Sequence, residues 1–206
     1  MARTALSRGL NTLSDNTHLL TITQEMREHA KSNPHTWLHI LDPAFRPDDE
    51  VPPWGVIGSF RVDEDGVIDE RFEPNPNWRP SPVSAGMPAP ETQLERAMQQ
   101  ARTGYAPEES VLGGVLNSTL LVYAKSPEDR ELQGFQDQMT GQILVAACTS
   151  SRFVPEAWPH ARAIAGADLV AKLAGCPLLI NPGSKPGALI PAEALLAAAG
   201  VRPAVN

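Results

Sequence analysis

Cysteine is scarce in this sequence. Only Cys148 and Cys176 occur, each within or beside an apolar run (ILVAACT and LAGCPLLI), so both read as small buried hydrophobes in a reducing compartment and not as a disulfide framework. Positive charge is also in deficit. Seventeen Lys and Arg stand against 24 Asp and Glu, a formal net charge of -7, which turns away nucleic acid and anionic lipid as default partners. No apolar run approaches the roughly 20 residues that a membrane span requires. The start, MARTALSRGL, passes into the polar NTLSDNTH without the apolar stretch of a secretory signal. These absences lead us to expect a cytoplasmic protein with no integral membrane segment.

Catalytic signatures are missing as well. There is no Gly-x-Ser-x-Gly elbow, no glycine-rich phosphate loop ending in Gly-Lys-Ser/Thr and no dinucleotide fingerprint. Both cysteines have apolar neighbours that disfavour a thiolate, and no cation in the sequence is placed to offset them. His18, His29, His35, His39 and His160 do not form a ligand set. His35 and His39 are four apart, but in a strand that spacing separates them by about 13 Å. Asp63 and Asp65 before Gly66 have the look of a calcium loop, yet the twelve-residue spacing with its closing Glu is absent. No cofactor, no metal site and no enzymatic activity are expected. Scattered polar groups such as Asp42, Asp168 and Asn181 can still meet in space, which keeps an enzyme with an unrecognised site as a minor alternative.

Proline, by contrast, is abundant, and it divides the chain. Residues 1–20 lack periodicity and read as a loose arm. A short helix follows over 23–30, with Thr21 or Thr23 as cap and Asn33-Pro34 as its stop. Residues 36–41 (TWLHIL) then predict a strand. Residues 54–62 and 67–72 alternate around Asp63-Glu-Asp-Gly66, whose Asp-Gly pair supplies the positive-φ position of a tight hairpin. Residues 73–90 hold six prolines and exclude a helix interior or a central strand. Trp78 within this stretch predicts an ordered strap, because a buried indole gains area while its N–H still needs a partner.

From Glu91 the period becomes helical. Leu94, Ala97, Met98 and Ala101 share one face, Glu91, Glu95 and Gln99 fall largely on the others, and Gly104 ends the helix. A second helix starts at Pro107, strands are predicted over 118–124 and 142–148, and Pro155 to His160 reads as a helical turn. A helix over 166–174, a strand over 177–180, a turn at Asn181-Pro-Gly-Ser184 and a last helix from Pro191 complete the order. The fold class expected is α/β, a mixed sheet covered by helices. It comprises the arm 1–20, an N-terminal α+β region 21–90 with hairpin and strap, and an α/β domain 91–206, with one packed unit over 21–206 left open.

Two segments stand out as candidate binding surfaces. Asn75-Pro-Asn-Trp-Arg-Pro-Ser-Pro82 joins rigid prolines to Trp78 and Arg79, and with Trp54 these are the residue types that concentrate binding energy at protein interfaces. A purely structural strap is an equal alternative. Asn181 follows an apolar strand, where α/β sheets often place ligands, although Asn-Pro-Gly is also a good turn.

The helix over 94–104, the strands 116–123 and 143–149, Gly166-x-Asp168-Leu169 and Ile180-Asn181-Pro182-Gly183 together resemble the SseB-like N-terminal domain family. Asp42-Pro-Ala-Phe45, Val51-Pro-Pro-Trp-Gly-Val-Ile-Gly58, Val62-Asp-Glu-Asp-Gly66 and the 75–82 segment resemble actinobacterial proteins labelled as type VII secretion system-associated. The two resemblances imply a small α/β module without a catalytic constellation, acting as an adaptor or chaperone-like accessory. Its partner would be a protein: a secreted substrate, a toxin or a secretion component. An immunity protein that neutralises an exported toxin is the alternative, and a homodimer is left open.

Overall fold

The computed structural model describes residues 21–200, so the expected arm lies outside the described residues. The chain divides into two compact units at Pro88/Ala89.

In the first unit, helix α1 (Gln24–Ser32) begins where Thr23 Oγ1 accepts the Met26 amide at 3.2 Å. This satisfies one of the donors that every helix start leaves over. Strands β1 (Trp37–Leu41), β2 (Val56–Val62) and β3 (Ile68–Pro74) form an antiparallel sheet in that spatial order. The β2–β3 turn is fixed by Asp63, whose Oδ1 accepts from the amides of Asp65 and Val67, while Gly66 takes the positive φ of 73°. Asp63 is thus accounted for by turn geometry. β3 runs on to Pro74, two residues beyond the expected strand, and it tolerates that proline because it is an edge strand. Gly58 is needed for close approach, since a Cβ there would strike the Phe72 ring and the Glu73 carbonyl. The core is small: Ala30, Phe60, Val62 and Ile68, flanked by Met26, Leu38, Ile40 and Phe72.

The second unit carries α2 (Gln93–Thr103), α3 (Glu109–Leu116), β4 (Thr119–Ala124), β5 (Gly134–Gln136), β6 (Ile143–Cys148), β7 (His160–Ala165), α4 (Gly166–Ala171), β8 (Leu178–Ile180), β9 (Ala188–Ile190) and α5 (Ala192–Ala198). Five strands lie in the order β7-β4-β6-β8-β9, and β5 pairs with β6. Among the described residues only β6 and β8 run parallel; the other pairs are antiparallel. The sheet is mixed and the fold is α/β, as the element order predicts.

Alternation places Leu120, Val122, Val145, Ala147, Leu178 and Ile180 on one sheet face, where Leu94, Met98, Val115, Leu169 and Leu195 from the four helices complete a single apolar core. Gly166 opens α4 because a Cβ at that position would collide with the Val115 carbonyl. Among the described residues no helix is long and apolar enough to cross a membrane.

Two expectations need correction. His160 begins strand β7 instead of ending a helical turn; alternating Ala and Arg residues give too little hydrophobic contrast for period counting to find this strand. Glu95 and Gln99, placed by that counting away from the apolar face, are 0% and 2% exposed. β5 and β9, three residues each, are too short for a periodic signal.

Candidate functional site

Asp42 organises the first unit. It lies just past β1, is 0% exposed, and its carboxylate accepts three donors. Oδ1 takes the Ala44 amide at 3.0 Å, and Oδ2 takes both the Trp78 indole N–H and the Ser81 amide, each at 3.0 Å. Backbone bonds add to this hold: Arg79 N–H to Trp54 C=O at 3.0 Å and Asn75 N–H to Ile57 C=O at 3.0 Å. Asn75 Nδ2 also donates to the carbonyls of Pro53 and Val56, both at 2.7 Å. The proline-rich segment is therefore a strap tied down between Asn75 and Ser81 by backbone and side-chain bonds that also satisfy the buried Asp42 carboxylate.

Three of the four sequence-predicted binding residues meet here. Trp54 is half-buried and carries the exposed Arg79 guanidinium 5.8 Å above its ring, within cation–π range. The Phe45 ring meets Trp54 edge-on at 5.6 Å. Trp78 is half-buried and spends its N–H on Asp42, so its first task is anchoring.

Asn181, the fourth, belongs to the second unit. It sits at the C-terminal end of β8 with φ 50° and is 1% exposed. Its Oδ1 accepts the Thr149 amide at 2.9 Å and its Nδ2 donates to the Pro186 carbonyl at 3.0 Å. The side chain thus closes the 181–186 loop onto the end of β6.

Thr149 leads on to a group that sequence reasoning missed. Its hydroxyl donates to Glu95 Oε1 at 2.8 Å, and Glu95 Oε2 accepts the Glu91 amide at 2.7 Å and the Arg152 guanidinium. Burial pushes the Glu95 carboxyl up, but the Glu91 amide, the Thr149 hydroxyl and the Arg152 charge outweigh it and hold the group below its ordinary value. The available signal was Thr92-Gln-Leu-Glu95, which has the form of a capping box: Thr92 does cap α2, while Glu95 reaches past it to Glu91.

Chemically, these carboxylates are occupied as acceptors. Glu95 is kept ionised inside a closed network, which suits a clamp better than proton transfer at neutral pH. Asp168 is exposed in the first turn of α4 and is not part of the Glu95–Thr149–Asn181 network. The Cys148 thiol is pushed up to about 11 by burial, opposite to what a nucleophile needs; Cys176 is half-buried. His39 Nδ1 lies 2.7 Å from Ser59 Oγ on the exposed face of the first sheet. Among the described residues no group of three or more His, Cys, Asp or Glu is placed to hold a metal.

Compared with protein-family models, curated proteins and solved structures, the chain matches none.

Proposed function

We propose that this chain is a protein-binding accessory of type VII secretion, an adaptor or chaperone-like factor that acts in the cytoplasm without turnover. The observation that carries the reading is the preorganised strap. A buried carboxylate, four backbone or side-chain ties and an edge-on aromatic pair hold Trp54 and Arg79 in one arrangement before any partner arrives. Preorganisation lowers the ordering cost of association, and Trp and Arg are the side chains most often found at interface hot spots. The resemblances described above supply the secretion context.

The test is a photo-crosslinking side chain at the exposed Asn77, in the native host. A covalent adduct with an exported substrate or secretion component, lost when Arg79→Ala is added, is the expected result. No adduct, or an adduct indifferent to Arg79→Ala, overturns the proposal. A second reading, an immunity protein, is favoured by the net charge of -7, which complements a basic toxin. Rescue of growth on co-expression with one neighbouring toxin would select it.

A further inference from the structure

β9 is the end strand of the larger sheet, and its backbone direction can be derived. The Val145 amide donates to Pro177 C=O and the Asn181 amide to Ala147 C=O, so residues 177, 179 and 181 turn their polar groups toward β6. Leu178 and Ile180, alternating with them, face β9 and pair with Ile190 and Ala188. The N–H and C=O of Leu189 therefore point away from the sheet. Neither is hydrogen-bonded among the described residues, and the Leu189 side chain is 56% exposed.

Along this edge runs a groove of about 620 Å³, walled by β9 on one side and by α2 and α3 on the other. Met98, Val111, Leu112 and Ala194 supply apolar lining. Arg102, Glu108 and Glu109, all exposed, supply the charge.

We propose that this groove binds an extended segment of another protein, which adds to the sheet as a strand alongside β9. This deepens the protein-binding reading and rests on it. One peptide residue would exchange both backbone hydrogen bonds with Leu189. Its two neighbours would align with Ala188 and Ile190, whose side chains face the core, and would project into the apolar groove. A basic residue just beyond answers the carboxylates of Glu108 and Glu109. A second copy fits less well, since two-fold pairing across β9 would bring the same pair of glutamates from each copy to one seam in a chain of charge -7.

The probe is a fluorescein-labelled peptide of alternating valine and threonine followed by two lysines, titrated by anisotropy against the full chain. Saturable binding is expected, weakened about tenfold or more when proline replaces the central threonine or when glutamates replace the lysines. Leu189→Pro removes the outward N–H without touching the β8 ladder, a place where edge strands accept proline, and it should abolish binding while melting stays near wild type. Should that variant misfold, the double variant Glu108→Lys/Glu109→Lys reads the same site by preferring the glutamate-ended peptide.

Absence of saturable binding, or binding indifferent to both variants, overturns the proposal. So does a concentration-dependent dimer abolished by Leu189→Pro without peptide binding, which would assign the edge to self-pairing. If no peptide binds saturably while Asn77 still crosslinks to a partner in an Arg79-dependent way, the strand-addition proposal falls while the protein-binding reading stands.

Discussion

The two units solve the same problem with different means. Among the described residues of the first, a cluster of four buried apolar residues is supplemented by a buried carboxylate that gathers three N–H donors. In the second, sixteen buried apolar residues form one core, and the polar Glu95 network only joins strand ends and helix start at its margin. Area burial scales with core size, so the smaller unit has less apolar stabilisation and leans on directional bonds that fail when one partner is lost. Hydrogen exchange should therefore release β1–β3 amides before those of β4, β6 and β8. Equal protection in both sheets would remove the contrast.

The largest effect is expected from Leu178→Ala. Leu178 is 0% exposed in the centre of the larger core, and truncating a buried leucine costs about 3–5 kcal/mol. Chemical denaturation checks this, with the C-terminal strands losing their exchange protection first. Next comes Asp42→Asn. The Asp42 neighbours are all donors, so an amide must turn its NH2 toward at least one of them, costing about 2–3 kcal/mol. Proteolysis should then cut the 73–90 strap while β4 and β6 remain protected.

A smaller effect follows from Glu95→Gln, about 1–3 kcal/mol at neutral pH. Its sign with pH is fixed by the direction of the shift. A carboxyl held below its ordinary value of 4.5 contributes stability that is full above that value and lost as pH falls through the lower folded value. Melting of the wild type and of Glu95→Gln should therefore differ at pH 7 and converge on acidification below pH 4.5. A constant gap would mean that Glu95 does not titrate as a clamp.

These differences also decide what the sequence could disclose. The hairpin, the extent of α2 and the strands at 118–124 and 142–148 are legible because periodicity and turn chemistry are local. Trp78 and Arg79 stood out because an indole and a guanidinium are unusual among closely spaced prolines. Asp42 attracted notice as one of several scattered polar groups and within Asp42-Pro-Ala-Phe45, but not as an anchor of the strap, since its partners there lie 36 and 39 residues away. Glu95 and Asn181 meet through Thr149, 54 residues from one and 32 from the other, and nothing local marks that meeting. β9 was missed for its brevity, and with it the groove.

The finest test of the comparison separates anchoring from recognition within the strap itself. Trp78→Phe keeps an aromatic ring, though a smaller one, and deletes the N–H that Asp42 accepts, so a buried carboxylate loses one of its donors and stability should fall by about 1–2 kcal/mol. Arg79→Ala removes an exposed side chain lying over Trp54, and its effect on melting should stay within about 0.5 kcal/mol. Partner crosslinking should rank the pair in reverse, with Arg79→Ala losing the adduct and Trp78→Phe largely keeping it below its melting temperature. If Arg79→Ala instead lowers melting as far as Trp78→Phe, the guanidinium is another tie in the strap, and the recognition surface has to be sought elsewhere on the molecule.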